Sequence, residues 1–582
     1  MDRVKSKSPI SKKQNIGLFS LLKQYKGVVS IMIIMALAGS GTNMLIPKII
    51  AHAIDAFSAN DFKPWPVVTE FLIATVAIFV FTFLQSLAQT YTSEKVAKDL
   101  RTRLTNKISQ QSYTFILKSN PSKLLTNLTS DTDSIKMFVS QAFVTIISSF
   151  FVVVGTSVLL ITINWKLAIT VISIVPVIAI TFFIVLRKVR VLFRRSREII
   201  DSLNRIINES IMGSALVRVL NSQQTESMKF LETNLELRNT SLGIVRLFST
   251  LIPVIMFVSN LAVVMILALG GHYVVNGTFS LGNFAAFNSY LIMLIFPIMM
   301  IGFMSNIIAS ATASYGRVRQ VLDAPSPPKP GTIKSDIKGE IQLRDVSLSF
   351  GEKPVLKKIT FSVKAGSKTA IIGPTAAGKS QLLNLLTNLI PPDSGTIEFD
   401  GISIERYSKE LFHSQIGFVF QDSVIFNMSL HENIAFNDKV TEESLKKAID
   451  TAELKDFVES LPSKLDTVVS ERGTSLSGGQ KQRIMLARAL ALNPRILLLD
   501  DFTSRVDRNT ENLILCNIEN NYPGLTLISV TQKIAPVRHF DQIILLMDGE
   551  ILAAGKHREL LANSPEYNQI YSSQRSTHHY EL

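Results

Sequence analysis

The sequence predicts a two-part chain, an α-helical membrane domain of six spans followed by an α/β domain, and three observations carry that prediction. At 582 residues the chain is too long for one ordinary domain. Its mean hydropathy, +0.28, is high for a soluble protein, and the apolar residues are unevenly spread. Before about residue 310 they form long uninterrupted runs, whereas after about residue 340 short strand-like and helix-like segments alternate.

A membrane span needs roughly 20 apolar residues. Six segments qualify, at about 28–50, 67–88, 138–163, 165–187, 251–272 and 281–307, and the last four carry almost no charge in their interiors. Lys48 and Glu70 fall near segment ends, where interfacial placement or snorkelling is expected. The flanking charges set the orientation. Arg3, Lys5, Lys7, Lys12, Lys13, Lys23 and Lys26 precede the first span. Lys95, Lys98, Arg101, Arg103 and Lys107 follow the second, and Arg187, Lys188, Arg190, Arg194, Arg195 and Arg197 follow the fourth. The remaining connections hold only Lys63 and Lys166, so the positive-inside rule predicts both termini in the cytoplasm and a cytoplasmic (inner) membrane protein. The net charge of +14 thereby reads as topology. No basic stripe with interleaved aromatics suggests nucleic acid as a partner. The lone cysteine, Cys516, excludes disulfides within the chain and a Cys-based metal site. The polar stretch before the first span is too long for a cleavable signal, and Leu18–Leu22 within it is expected to lie as an amphipathic helix on the cytoplasmic surface.

The domains follow in order: a cytoplasmic amino-terminal segment with a surface helix (1–27), a six-helix membrane domain (28–323), a linker (324–339) and an α/β domain (340–582). The connections at about 89–137 and 188–250 have helical apolar spacing, such as Leu203, Ile206, Ile207 and Ile211, so helices are expected to continue well beyond the membrane. Ser112–Phe115 and Gly213–Arg218 lie where each long pair must turn, and both are candidates for contact with the second domain. The proline-rich run Ala324–Gly331 ends any helix and marks the boundary.

Beyond it, Thr369–Ile372 is a buried-strand run leading into Gly373-Pro374-Thr375-Ala376-Ala377-Gly378-Lys379-Ser380. This matches the P-loop pattern at every fixed position, and the apolar pattern of Leu382, Leu383, Leu385 and Leu386 supplies the helix that must follow. Its backbone N–H groups curl around phosphate oxygens at a helix amino terminus; Lys379 is expected on the β- and γ-phosphates and Ser380 on Mg²⁺. Gln381 continues the same turn. Ile496–Leu499 is a continuous apolar run typical of a central parallel strand, and Asp500 at its carboxyl end is placed to hold Mg²⁺ through water. Leu476-Ser477-Gly478-Gly479-Gln480 opens a further helix, where Ser477 can cap and the glycines admit an anion.

Together these motifs resemble the ATP-binding-cassette (ABC) exporters, over nearly the whole chain. The resemblance implies the type I ABC exporter fold, a six-span transmembrane domain followed by an α/β P-loop ATPase domain, with ATP and Mg²⁺ as cofactors. It further implies that Leu476 to Gln480 are the signature, Gln421 the metal- and water-sensing glutamine, Phe350 the aromatic on adenine, and Glu471-Arg472-Gly473 a loop touching the membrane domain's helices. Family architecture places two ATP molecules between head-to-tail nucleotide domains, each held by one chain's P-loop and the other's signature.

Two positions depart from the family pattern. Asp501 stands where the family has the glutamate that polarises the attacking water, and its carboxylate is one methylene shorter. Gln532 stands where the family has a histidine on the γ-phosphate; glutamine donates a hydrogen bond but cannot carry positive charge or relay a proton. Two such changes at one γ-phosphate, beside an intact signature, point to the degenerate half of a heterodimeric exporter whose partner is a second ABC half-transporter. A homodimer using Asp501 as a weak base is the alternative, and an ATP-gated channel or regulatory subunit is disfavoured because the spans offer no charged ring. The substrate class is an amphipathic drug or lipid. No peptidase-like domain precedes the first span, so peptide processing is not expected. Asn43, Asn260 and Asn306 are expected to make interhelical hydrogen bonds, with a substrate cavity as the other option.

Overall fold

The computed structural model describes residues 18–327, 331–351, 353–470, 473 and 475–578. These form two compact units: the described residues up to Gln110 with Ser119–Pro325, and Gln111–Lys118 with the described residues from Ser326 on.

In the first unit, six helical segments are long and apolar enough to cross a membrane: Lys23–Ser58, Pro64–Ser109, Pro121–Ile163, Trp165–Met212, Gln223–Val275 and Leu281–Leu322. The second has 46 residues, about 70 Å at 1.5 Å per residue, far more than a bilayer needs; the expected extensions beyond the membrane are helical. Asn164 and Ser280 start the fourth and sixth segments by capping Lys166 and Leu167, and Asn283, respectively, which satisfies backbone donors that would otherwise face lipid. The first and sixth spans are tied at one end by Asp55, which accepts from Ser280 Oγ and Gly282 N, each at 2.7 Å. A Cβ on Gly282 would sit 2.0 Å from the Ala51 carbonyl oxygen, so glycine allows this approach. Tyr290 Oη donates to the Met44 carbonyl at 2.9 Å. Further along, Arg317 on the sixth helix grips the buried Asp131 through Nε at 3.0 Å and Nη2 at 2.5 Å.

At the start of the described residues, Leu18 and Leu22 are buried and Leu21 is half-buried, so this stretch packs apolar side chains against protein. One expectation changes here. Asn43, Asn260 and Asn306 are exposed and make no hydrogen bond among the described residues; Asn306 instead lines a cavity of about 170 Å³ with Arg190, Phe193, Phe248 and Phe303.

The second unit has two sheets. One is antiparallel, in the order β2-β1-β4-β5, with β1 Ile341–Phe350, β2 Lys353–Val363, β4 Ser394–Phe399 and β5 Ile402–Ser403. The other, in the order β10-β9-β3-β8-β7-β6, comprises β3 Lys368–Ile372, β6 Ile416–Val419, β7 Ile496–Asp500, β8 Thr526–Thr531, β9 Gln542–Met547 and β10 Glu550–Gly555. All its pairings are parallel except β9–β10. Strand β7 is buried on both faces, as its apolar run requires. Ile496 and Leu498 join the core under the antiparallel sheet, and Leu497 and Leu499 join the opposite core. Leu382, Leu383, Leu385 and Leu386 fill the first of these cores, locking the helix that follows the P-loop. Ile337 also lies in it, and Ile333 N donates to the Arg406 carbonyl at 3.0 Å. The stretch after Gly331 is therefore built into this unit. Gln111–Lys118, which includes the predicted turn at Ser112–Phe115, also belongs here: Thr114, Leu117 and Lys118 line a groove of about 370 Å³ with Ser349, Phe350 and Pro391.

Candidate active site

Three parallel strands deliver the site. β3 ends at Ile372, and the P-loop turns at Ala376 (φ 67°) and Gly378 (φ 97°) into the helix Lys379–Leu386. Left-handed backbone suits Gly378, where a Cβ would also press on the Leu356 side chain at 2.7 Å. At Gly373 the constraint is space: a Cβ would lie 2.0 Å from the Leu546 carbonyl oxygen. Lys379 Nζ donates to the carbonyls of Gly373 at 2.9 Å and Pro374 at 2.8 Å. Burial holds its pKa below the ordinary lysine value, against the attraction of Asp501 and Asp500.

β7 carries Asp500 to the same point, and Ser380 Oγ donates to Asp500 Oδ1 at 3.1 Å. Burial raises the pKa of both Asp500 and Asp501; for Asp501, Lys379 and Lys533 oppose the rise. Asp501 follows the strand in left-handed backbone (φ 48°), with its N–H on the Val530 carbonyl. β8 brings Gln532, whose Nε2 reaches Thr375 Oγ1 at 3.4 Å. Thus Gly373 to Ser380, Asp500, Asp501 and Gln532 converge. Gln381, one residue on, accepts from Asn384 Nδ2 at 3.3 Å. The loop fits a nucleotide triphosphate, since its shape excludes side chains and its amine is poised among carbonyls. The Ser380 hydroxyl beside the Asp500 carboxylate is the hard-oxygen pair that Mg²⁺ prefers.

The signature is assembled but stands apart. Ser477 and Gln480 form a reciprocal capping box at the start of helix Gly478–Leu490, and no hydrogen bond joins Leu476–Gln480 to the P-loop among the described residues. Phe350 is exposed at the end of β1, its ring available to a ligand. Gln421 lies just past β6, with its carbonyl held by Gln482 Nε2 at 3.1 Å. Glu471 and Arg472 lie outside the described residues.

Sequence reasoning missed two supports. Gln574, on the last helix (Pro565–His578), accepts from Ile534 N at 2.9 Å and donates to the Gln532 carbonyl at 2.6 Å, clamping the segment that aims Gln532. Arg488 donates to the Asn433 carbonyl at 2.6 Å and the Val424 carbonyl at 2.9 Å, with its guanidinium near the rings of Phe426 and Phe436. Burial pulls its pKa down to about 10. Arg488→Ala would remove the donor to the Val424 carbonyl in the loop after Gln421 and to the Asn433 carbonyl in the helix Leu430–Ile434, and a loss of about 2–4 kcal/mol of stability is expected. Chemical denaturation of the purified protein checks it; an unchanged midpoint would contradict this role. Only contact distances could have revealed either residue.

Six apolar spans joined in one chain to a P-loop domain with a signature helix define a membrane transporter that runs on ATP. Residues 29–298 match the family model of the ABC transporter transmembrane region, and 356–504 that of the ABC transporter domain. The chain belongs to the ABC transporters and is an exporter-type member with membrane and ATP-binding domains together. It is 30% identical to the "Probable multidrug resistance ABC transporter ATP-binding/permease protein YheI" of Bacillus subtilis, over 96% of this chain and 98% of the relative. It is also 30% identical to the "ATP-dependent lipid A-core flippase" of Syntrophus aciditrophicus, over 85% of this chain and 83% of the relative. The solved structure of a bacterial Atm1-family ABC exporter with ATP bound superposes with a TM-score of 0.78 at 23% identity, covering 95% of this chain and 99% of that one.

Proposed function

We propose that this chain is one half of a heterodimeric exporter that moves amphipathic drugs or lipids across the cytoplasmic membrane, its own ATP site cleaving slowly while its signature completes the partner's site. The reading rests on one observation: Asp501 and Gln532 flank the P-loop in a chain whose Leu476–Gln480 keeps the full family form. In this reading residues 28–323 form the membrane domain with both termini cytoplasmic, 324–339 the linker, and 340–582 the ATPase. Gly373 to Gln381 and Phe350 hold ATP, and Ser380, Gln421 and Asp500 hold Mg²⁺. Bound there, Mg²⁺ would offset the triphosphate's charge, while Lys379 orients the phosphates. Asp501, shortened by a methylene, meets water from farther away; a misplacement of about 1 Å can cost on the order of a hundredfold. Multidrug and lipid cargo is drawn from the names of the two relatives, and the apolar spans are compatible with both.

The purified chain alone should bind ATP and turn it over at least tenfold more slowly than the same chain assembled with its partner. Single-turnover hydrolysis measures the difference, and fast turnover by the lone chain would favour a homodimer with Asp501 as base.

A further inference from the structure

The first and second spans bring together two charges that the sequence had left separate and peripheral, Lys48 and Glu70, and add a histidine, His52, to them. Lys48 and His52 lie four residues apart, on one face of the helix Lys26–Ser58. Glu70 lies on the antiparallel helix that begins at Pro64. All three line one open cavity of about 350 Å³, together with Thr42, Leu45 and Ile73. Lys48 is ten residues from the end of its helix, His52 and Glu70 six from theirs, so all three lie toward the 59–63 turn, about 15 Å and about 9 Å along the helices from it. None of the three has a hydrogen-bond or ion-pair partner among the described residues. The nearby Asp55, by contrast, is consumed by Ser280 and Gly282. Ionisable groups on a span are costly unless a partner meets them, and these three share a cavity without closing an ion pair among the described residues.

We propose that this cavity is a recognition site for a zwitterionic phospholipid headgroup of the phosphoethanolamine type. Lys48 and His52 face the phosphate and Glu70 takes the primary ammonium. Two potential cations beside one carboxylate match a phosphate next to an amine. Thr42 offers a further hydroxyl, and Leu45 and Ile73 accompany the first methylenes of the tail. Glu70 discriminates by hydrogen bonding, because a quaternary ammonium has no N–H to give. The site lies wholly within the membrane unit. It deepens the exporter reading by naming a lipid class and rests on that reading only for movement of the lipid; binding itself needs no ATP.

The test uses the full chain in nanodiscs of equal parts phosphatidylethanolamine, phosphatidylcholine and phosphatidylglycerol, with retained lipid counted by mass spectrometry and no nucleotide added. The wild-type protein should retain phosphatidylethanolamine about tenfold over phosphatidylcholine, the worth of one charge-assisted hydrogen bond. Glu70→Leu, which removes the acceptor, should erase that preference, and Lys48→Gln should weaken retention of all three lipids. Equal retention by the wild type, or a preference for phosphatidylglycerol, overturns the proposal without recourse to any variant. So does a phosphatidylethanolamine preference that survives Glu70→Leu. Because hydrolysis is not read, a failure here leaves the slow-site reading standing, and fast turnover by the lone chain leaves the lipid site standing.

Discussion

Gly478→Asp in this chain should lower ATP turnover by the assembled transporter at least a hundredfold, whereas Asp501→Asn in the same chain should lower it less than threefold. The contrast follows from where the two residues act. Gly478 opens the helix Gly478–Leu490, with the Ser477–Gln480 capping box just before it. An aspartate at a helix amino terminus is favourable for the helix itself. Its Cβ would meet only the Arg505 side chain, at 3.2 Å, a flexible neighbour of opposite charge. The domain should therefore fold. What the carboxylate harms is the approach of another anion, since a like charge a few ångströms from phosphate at an effective dielectric of about 20 costs on the order of 4 kcal/mol. If the signature serves the partner's ATP, the loss appears in the fast site and in overall turnover. Asp501→Asn touches only the slow site and leaves the fast one intact. Steady-state phosphate release from the reconstituted pair measures both. Similar losses for the two variants would mean that both sites fire and that the division of labour is wrong. A circular dichroism melt of Gly478→Asp separates a folding defect from a phosphate defect.

The parts of the molecule that were legible in sequence are those that depend on neighbours along the chain. Six spans could be read because lipid demands unbroken apolar length, and 251–272 or 281–307 admits no other use. The P-loop could be read because its chemistry requires consecutive backbone N–H groups, so spacing alone specifies it. Strand β7 betrayed its burial on both faces by Ile496–Leu499. What stayed hidden depends on residues far apart in sequence. Lys48 and Glu70 each looked like a lone charge near a span end; the antiparallel packing of two helices gives them a shared cavity with His52. Gln574 could not be linked to Gln532 across 42 residues, because a glutamine on a polar helix has no pattern of its own. Asn43 and Asn260 misled in the other direction. Polarity within a span suggested interhelical bonds, but the seams are closed by other groups, such as Tyr290 on the Met44 carbonyl, while Asn306 took the other option and lines a cavity.

Restoring the two altered positions should also accelerate the lone chain. Asp501→Glu with Gln532→His should raise its single-turnover hydrolysis at least tenfold, with each single change giving much less than half of that gain on a logarithmic scale. Groups that act as a unit are grossly non-additive. Gln532 already reaches the loop, through Thr375 Oγ1 at 3.4 Å, and Gln574 fixes its backbone, so an imidazole there would start in range and could carry charge. Asp501 lacks only length. A competing physical reason exists for its presence: it occupies left-handed backbone (φ 48°), a conformation aspartate tolerates better than most residues, and the usual cost there is roughly 1–2 kcal/mol. Glutamate should therefore slightly lower the unfolding midpoint while raising the rate. The two effects differ in kind and can be read separately, one by thermal melting and the other by quenched-flow hydrolysis. A lower midpoint with no gain in rate would mean that Asp501 is kept for its turn, and that the slowness of this site has its cause elsewhere, in the signature the partner presents to it.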